Sequence, residues 1–198
     1  MIREDGRSNY AWDLAKLNIN MMTYTYPGDK LKDFAVFGEK VYLPMNGKVI
    51  TAVKKEIDNP PDLSAAVDLM DHDSGDGIDL QEKPQNMIEV EIGGEGSSAM
   101  LRLLHLQQDS IPDTIQVGKN YLAGTLLGLA GNSGTTYTPH LHLVFGFWDN
   151  SSRFWSLPIE FESVEHRILL PYPSGYEYSN YHQHEFLYPK LGYCIKSA

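Results

Sequence analysis

The chain has 198 residues, enough for one domain with a buried core and too few for two of full size. Its 42% hydrophobic and 21% charged residues are those of an ordinary globular protein, and a net charge of −10 without any basic cluster excludes a nucleic-acid partner. The single cysteine, Cys194, excludes an intrachain disulfide framework and any multi-cysteine metal site.

No run approaches the roughly 20 apolar residues of a membrane span. Residues Met1 to Arg7 lack the apolar core of a signal peptide, so the chain either is not exported by that route or is a mature or trimmed form. Short β-like runs then recur between glycine and proline turns: Lys40–Pro44, Gly47–Val53, Met87–Ile92, Ala99–Leu106 and His140–Phe147. Glu89-Val90-Glu91-Ile92 alternates with period two, the pattern of a half-buried strand. Gly93-Gly94-Glu95-Gly96 reads as a hairpin turn into Ala99-Met100-Leu101-Arg102-Leu103. The expectation is an all-β, mainly antiparallel domain, a sandwich or partly open barrel.

Residues 56 to 85 differ in composition. They are acidic and turn-rich and read as a loop insertion between two strands. Asp71, His72, Asp73, Asp76 and Asp79 lie there, but their spacing is not that of a calcium-binding EF-hand. The tail from about residue 171 is rich in tyrosine and reads as an extension packed on the domain.

His140 and His142 carry the strongest chemical signal. Two apart in a strand, their side chains share one face, while Leu141, Leu143 and Phe145 point to the other. Neutral imidazole suits zinc, and two rings this close can hold one cation, or one can hold it while the other handles protons. A bare His-x-His occurs by chance on exposed strands, so the flanking sequence decides.

Gly128-Leu129-Ala130-Gly131-Asn132-Ser133-Gly134 followed by Thr138-Pro139-His140-Leu141-His142 resembles the signature of the M23 family of zinc metallopeptidases, the lysostaphin/LytM group. Val117-Gly118, Ala123-Gly124-Thr125-Leu126-Leu127-Gly128, Leu104-His105-Leu106 and Pro44-Met45-Asn46-Gly47-Lys48-Val49 are similar to further family strands and turns. Tyr10-Ala11-Trp12-Asp13 resembles its N-terminal metal motif, and the likeness covers roughly residues 10 to 165.

The resemblance implies a LytM-like duplicated-hybrid-motif fold over residues 1–170. It also implies a Zn²⁺ cofactor, a peptidoglycan peptide substrate and a location in the cell envelope or outside the cell. It makes Asp13 and His142 metal ligands, and gives His105 and His140 the water and the oxyanion. The family's first ligand, a histidine, falls at Asn9 here. Its place is then taken by a residue upstream, by Asn9 itself or a distant histidine such as His72, His182 or His184, or by nothing, in a site that binds without catalysis. In that last case the chain would bind cell wall or a partner protein and regulate another hydrolase. Asn132 and Ser133, between glycines, read as turn formers. His166 reads as a surface residue. A lipoyl-type carrier would share the hairpin rhythm but needs a lysine in the Gly131–Gly134 turn, which has none.

Overall fold

The computed structural model describes residues 10–65, 83–93, 99–151, 153–172, 175–178, 182–187 and 193–197, with backbone only at 163, 164 and from 166 onward. The chain divides into two compact units, Met1–Ser156 and Leu157–Ala198. The expected turn at 93–96 and Asn9 and His72 fall wholly or mostly outside the described residues.

The first unit holds β1 (Ala11–Leu14), β2 (Lys40–Tyr42), β3 (Gly47–Val53), β4 (Met87–Ile92), β5 (Ala99–Leu104), β6 (Asn120–Tyr121), β7 (Leu126–Leu129), β8 (Leu141–Trp148) and β9 (Phe154–Leu157). One antiparallel sheet runs in the order β1-β8-β5-β4-β3-β6, with β9 also on β8, and β2 pairs with β7 in a separate ladder. The architecture is all-β, antiparallel and open.

Directly opposite residues of an antiparallel pair project to the same face. The register pairs Ile88 with Leu103, Val90 with Leu101, and Leu103 with Leu143, so these side chains share a face, and all are buried. Each apolar side chain so covered stabilises the fold by about 1.5–3 kcal/mol. The alternation in Glu89–Ile92 has this cause: Val90 is fully buried, while Glu89 lies on the opposite face beside Arg102 and Thr51.

That opposite face is not left to solvent. Leu104, Val144 and Phe154 form a buried cluster there, with Ala11, Met87 and Met100 against it. Arg102 pairs with Glu89 at 2.8 Å, and its guanidinium lies over the Phe154 and Trp148 rings at 5.3 and 5.7 Å. Thr51 donates its hydroxyl to the second Glu89 oxygen at 2.7 Å. Among the described residues, the face that carries the histidines is therefore packed for most of its length and open at the end where Asp13 is exposed.

β8 and β9 are joined by a turn that Asp149 organises. Its carboxylate accepts from Ser151 N, Arg153 N and the Trp155 indole at 2.8, 2.9 and 2.9 Å, and pairs with Arg153 Nε at 3.2 Å. The indole and backbone hydrogen bonds hold its pKa down at about 2, from 3.8.

The ends of the acidic insertion are part of the domain. Asn86, fully buried, accepts from Glu56 N at 2.8 Å and donates to Glu56 O and Leu106 O at 2.7 and 3.0 Å. Its backbone accepts from Leu106 N at 3.1 Å and donates to Ser133 Oγ at 3.0 Å. Ser133 Oγ in turn donates to Leu106 O at 2.8 Å. One amide thus ties together the start of the insertion, the end of β5 and the loop before β8.

The second unit is built on one long strand, β10 (Phe161–Tyr172), which pairs with β11 (Gly175–Tyr178), β12 (His182–Leu187) and β13 (Tyr193–Ser197). The tyrosine-rich tail is thus strand partner to β10, which itself runs past residue 170. His166 lies opposite His182 in this sheet.

Two predictions follow from these contacts. Asn86→Ala strands the Glu56 N–H and C=O inside the fold. It is expected to cost about 3 kcal/mol in urea denaturation, and Asn86→Asp at least as much because the oxygen in place of Nδ2 would face the Glu56 and Leu106 carbonyls. An unchanged midpoint would contradict the tie. The Asp149 contribution, from a depressed pKa, is fully present above pH 3.8 and lost as pH falls through about 2. Between pH 4 and 2 the thermal midpoint of the wild type should therefore fall more steeply than that of Asp149→Asn, and Trp155 fluorescence should report the same difference.

Candidate metal and catalytic site

The open end of the second face is one rung of the sheet. Asp13 on β1 lies opposite His142 on β8, and His142 lies opposite Leu104 on β5. Asp13 and His142 therefore project side by side, and Asp13 Oδ1 stands 2.7 Å from His142 Nδ1. His140 lies just before β8, with its Nε2 3.4 Å from the same Asp13 oxygen. One carboxylate oxygen is shared by two imidazoles.

His105 arrives by a different route. It follows Leu104, so a regular strand would send its side chain to the core face. Its φ of 61° lies in the left-handed region instead, and the ring comes to 4.8 Å from that of His140 and 5.8 Å from that of His142, both edge-on. A non-glycine residue held there costs on the order of 1–3 kcal/mol and persists only where its surroundings over-determine it. Here they do. His105 O accepts from Gly131 N at 2.9 Å, Leu106 is held by Asn86 and Ser133, and His105 Nδ1 donates to Ser133 O at 2.8 Å.

The Gly131–Gly134 loop is consequently more than a turn. Gly131 presses on the backbone of Gln107, where any Cβ would collide, and Gly134 has φ of 86°. Asn132 and Ser133 are fully buried. Asp58 accepts from Asn132 N at 2.7 Å and from Gln108 N at 2.9 Å, and Asn59 donates its amide to the Asn132 and Gly134 carbonyls at 3.1 and 2.6 Å. Asp58 and Asn59 escape sequence reading because they sit in a composition that marks solvated loop, and Asn86 because a lone polar residue before a strand carries no signal of its own. The only local hint is the rigid Asn59-Pro60-Pro61 that follows Asp58.

His105 and His140 each donate Nδ1–H to a backbone carbonyl, that of Ser133 and that of Thr138, both at 2.8 Å. This leaves Nε2 of each ring clear of the backbone: that of His105 is free to accept a proton, and that of His140 faces Asp13 Oδ1 at 3.4 Å. The ring nitrogens of His105, His140 and His142 lie within 4.8 Å of one another, close enough for one metal ion.

The environments push the titrations apart. Burial depresses the His105 pKa to about 4, with repulsion from His140 adding to it and the Ser133 hydrogen bond opposing it. Burial acts the same way on His140, but the hydrogen bond and charge of Asp13 outweigh it and raise the pKa. For Asp13 burial acts upward, and the two imidazoles overcome it and hold the carboxyl well below the usual carboxylate range. The Asp13 side chain is 65% exposed, so water screens much of this. A neutral acceptor (His105) and a more readily protonated donor (His140) thus stand side by side.

The structure brings together Asp13, His105, His140 and His142. The donors fit a zinc ion in kind, being one carboxylate and neutral imidazoles. The separations of Asp13 Oδ1 from His142 Nδ1 and His140 Nε2, 2.7 and 3.4 Å, are near the roughly 3.3 Å between two ligands of a tetrahedral zinc with bonds near 2.0–2.1 Å. His182 and His184 lie in β12 of the second unit, and His166 in β10.

No family model and no curated protein matches the chain. Among solved structures it is similar to a zinc-containing peptidase from Vibrio cholerae (24% identity, TM-score 0.37, 62% of this chain and 27% of that one). It is also similar to the catalytic domain of the antimicrobial peptidase lysostaphin from Staphylococcus simulans (17% identity, TM-score 0.37, 73% and 84% covered). A third is a mutant catalytic domain of the prophage-encoded M23 protein EnpA from Enterococcus faecalis (12% identity, TM-score 0.37, 71% and 92% covered). The chain spans about a quarter of the Vibrio peptidase and most of the two catalytic domains.

Proposed function

We propose that this chain is a zinc-dependent endopeptidase that hydrolyses peptide bonds of bacterial peptidoglycan. The observation that carries the reading is the convergence of Asp13, His142, His140 and His105 on one open rung of the sheet. Asp13 and His142 would hold the metal, with Asn9 at the position where the family has a further ligand. Zinc supplies a positive centre that polarises a carbonyl and lowers the pKa of a bound water.

The remaining steps belong to this chain's own residues. His105 Nε2, with its lone pair toward the site and its Nδ1 proton fixed on Ser133, accepts the proton of the attacking water. His140, made more basic by Asp13, donates from Nε2 to the oxyanion that forms on the substrate carbonyl. The proton taken from water then passes to the leaving amine. The likeness to the family supports a substrate met in the envelope or outside the cell.

Two measurements test this. Full-length protein stripped of metal and resupplied with zinc should take up about one equivalent by elemental analysis. His142→Ala should abolish uptake and His105→Ala preserve it; a folded wild type that takes up no zinc would remove the enzyme reading. On purified peptidoglycan the zinc form should release new amino termini, and His105→Ala should lower the rate by at least about 100-fold without loss of metal. Zinc uptake with no new amino termini would instead favour a binding relative that has lost catalysis.

A further inference from the structure

His140 differs from the other site residues in how it is held. Asp13 and His142 lie in paired strands, and His105 is fixed on both sides by backbone hydrogen bonds. His140 precedes β8 and has no ladder to orient it. An imidazole's second torsion is broad and roughly two-fold, so a loop histidine turns either nitrogen to a given side unless something selects one.

The selecting group is the Thr138 carbonyl, 2.8 Å from His140 Nδ1. That carbonyl also lies in a loop, and Pro139 after it offers no N–H to brace the turn. What braces it is Thr136. The Thr136 hydroxyl lies 3.0 Å from Thr138 O and 3.0 Å from Asn132 Oδ1, and its oxygen is 3.4 Å from His140 Nδ1. Its single proton serves the two carbonyl acceptors, and its lone pairs face the imidazole N–H. A β-branched side chain is stiff at χ1, so the hydroxyl stays where it is placed. Asn132 is in turn fixed, donating from Nδ2 to Asn59 O at 2.9 Å and from its backbone to Asp58 at 2.7 Å.

We propose that Thr136, anchored by Asn132, is a positioning residue for His140: its hydroxyl fixes the Thr138 carbonyl, selects the Nδ1–H tautomer of the ring and keeps Nε2 turned toward Asp13. The chain of contacts runs from Asp58 and Asn59, at the base of the acidic segment, to the imidazole that meets the reacting carbonyl. Only the effect on rate rests on the peptidase reading; the effect on the ring does not.

The test compares wild type, Thr136→Val and Thr136→Ser as full-length, ¹⁵N-labelled, metal-free protein at one alkaline pH, where the rings are neutral. Long-range ¹H–¹⁵N spectra should show His140 as a single Nδ1–H tautomer in the wild type and in Thr136→Ser. In Thr136→Val it should become a mixture of the two tautomers, while His105, whose acceptor is Ser133, stays unchanged. Thr136→Ala serves in place of the valine variant if that one does not fold. With zinc and peptidoglycan, the hydroxyl-free variant should lose about 10- to 100-fold in kcat at little-changed KM, and serine should restore most of it. An unaltered His140 tautomer in the hydroxyl-free variant overturns the proposal, whatever its rate. An altered tautomer in a protein with no hydrolysis upholds it and removes the peptidase reading instead.

Discussion

The arrangement of the site depends on one residue leaving its strand. β5 runs between β4 and β8, and Leu104, opposite His142, still obeys the alternation by packing with Val144 and Phe154. With regular backbone the next side chain would enter the core beside Leu103 and Leu143. The left-handed turn at His105 brings it over to the face of His142, and nearby groups share the cost of that turn. Ser133 accepts from its ring, Gly131 donates to its carbonyl, and Asn86 with Ser133 clamps Leu106.

The same network explains why buried polar residues cluster in an otherwise apolar interior. Asn86, Asn132 and Ser133 are fully buried, a costly placement unless each donor and acceptor is paired. Each makes several hydrogen bonds to backbone groups that no strand would otherwise satisfy. They act as internal caps for three irregular segments: the ends of the 56–85 region, the exit from β5 and the loop before β8. Rigid loops rather than strands therefore supply the carbonyl acceptors of His105 and His140.

Asp13 supplies the electrostatic counterpart. One oxygen contacts two imidazoles, and the carboxylate separates the behaviour of His140 from that of His105. Position along the sheet produces the difference. His140 lies against Asp13 of β1, whereas His105 sits on the far side of β8, more deeply buried and 4.8 Å from the His140 ring.

Much of this was legible beforehand. The strands over Gly47–Val53, Met87–Ile92, Ala99–Leu104 and Leu141–Trp148 are local consequences of apolar alternation and turn residues. The alternation places His140 inside the last of them, whereas that strand begins at Leu141 and the loop before it sets His140 beside Asp13. The chemistry of the residue types, imidazoles and a carboxylate suited to zinc, was legible too, as a resemblance. The rest came only with tertiary structure. The pairing of Asp13 with His142 spans 129 positions and is set by which strands become neighbours. Asp58 and Asn59 looked like solvated loop because composition reports average polarity, not the partner that a polar group finds, and nothing local marked Asn86. The strand pairing of the tail depends on β10, whose pattern carries no sign of its partners. Sequence determined which side chains could do the chemistry; the close approach of distant backbone, with its own hydrogen bonds to satisfy, decided where they meet and which nitrogen each one offers.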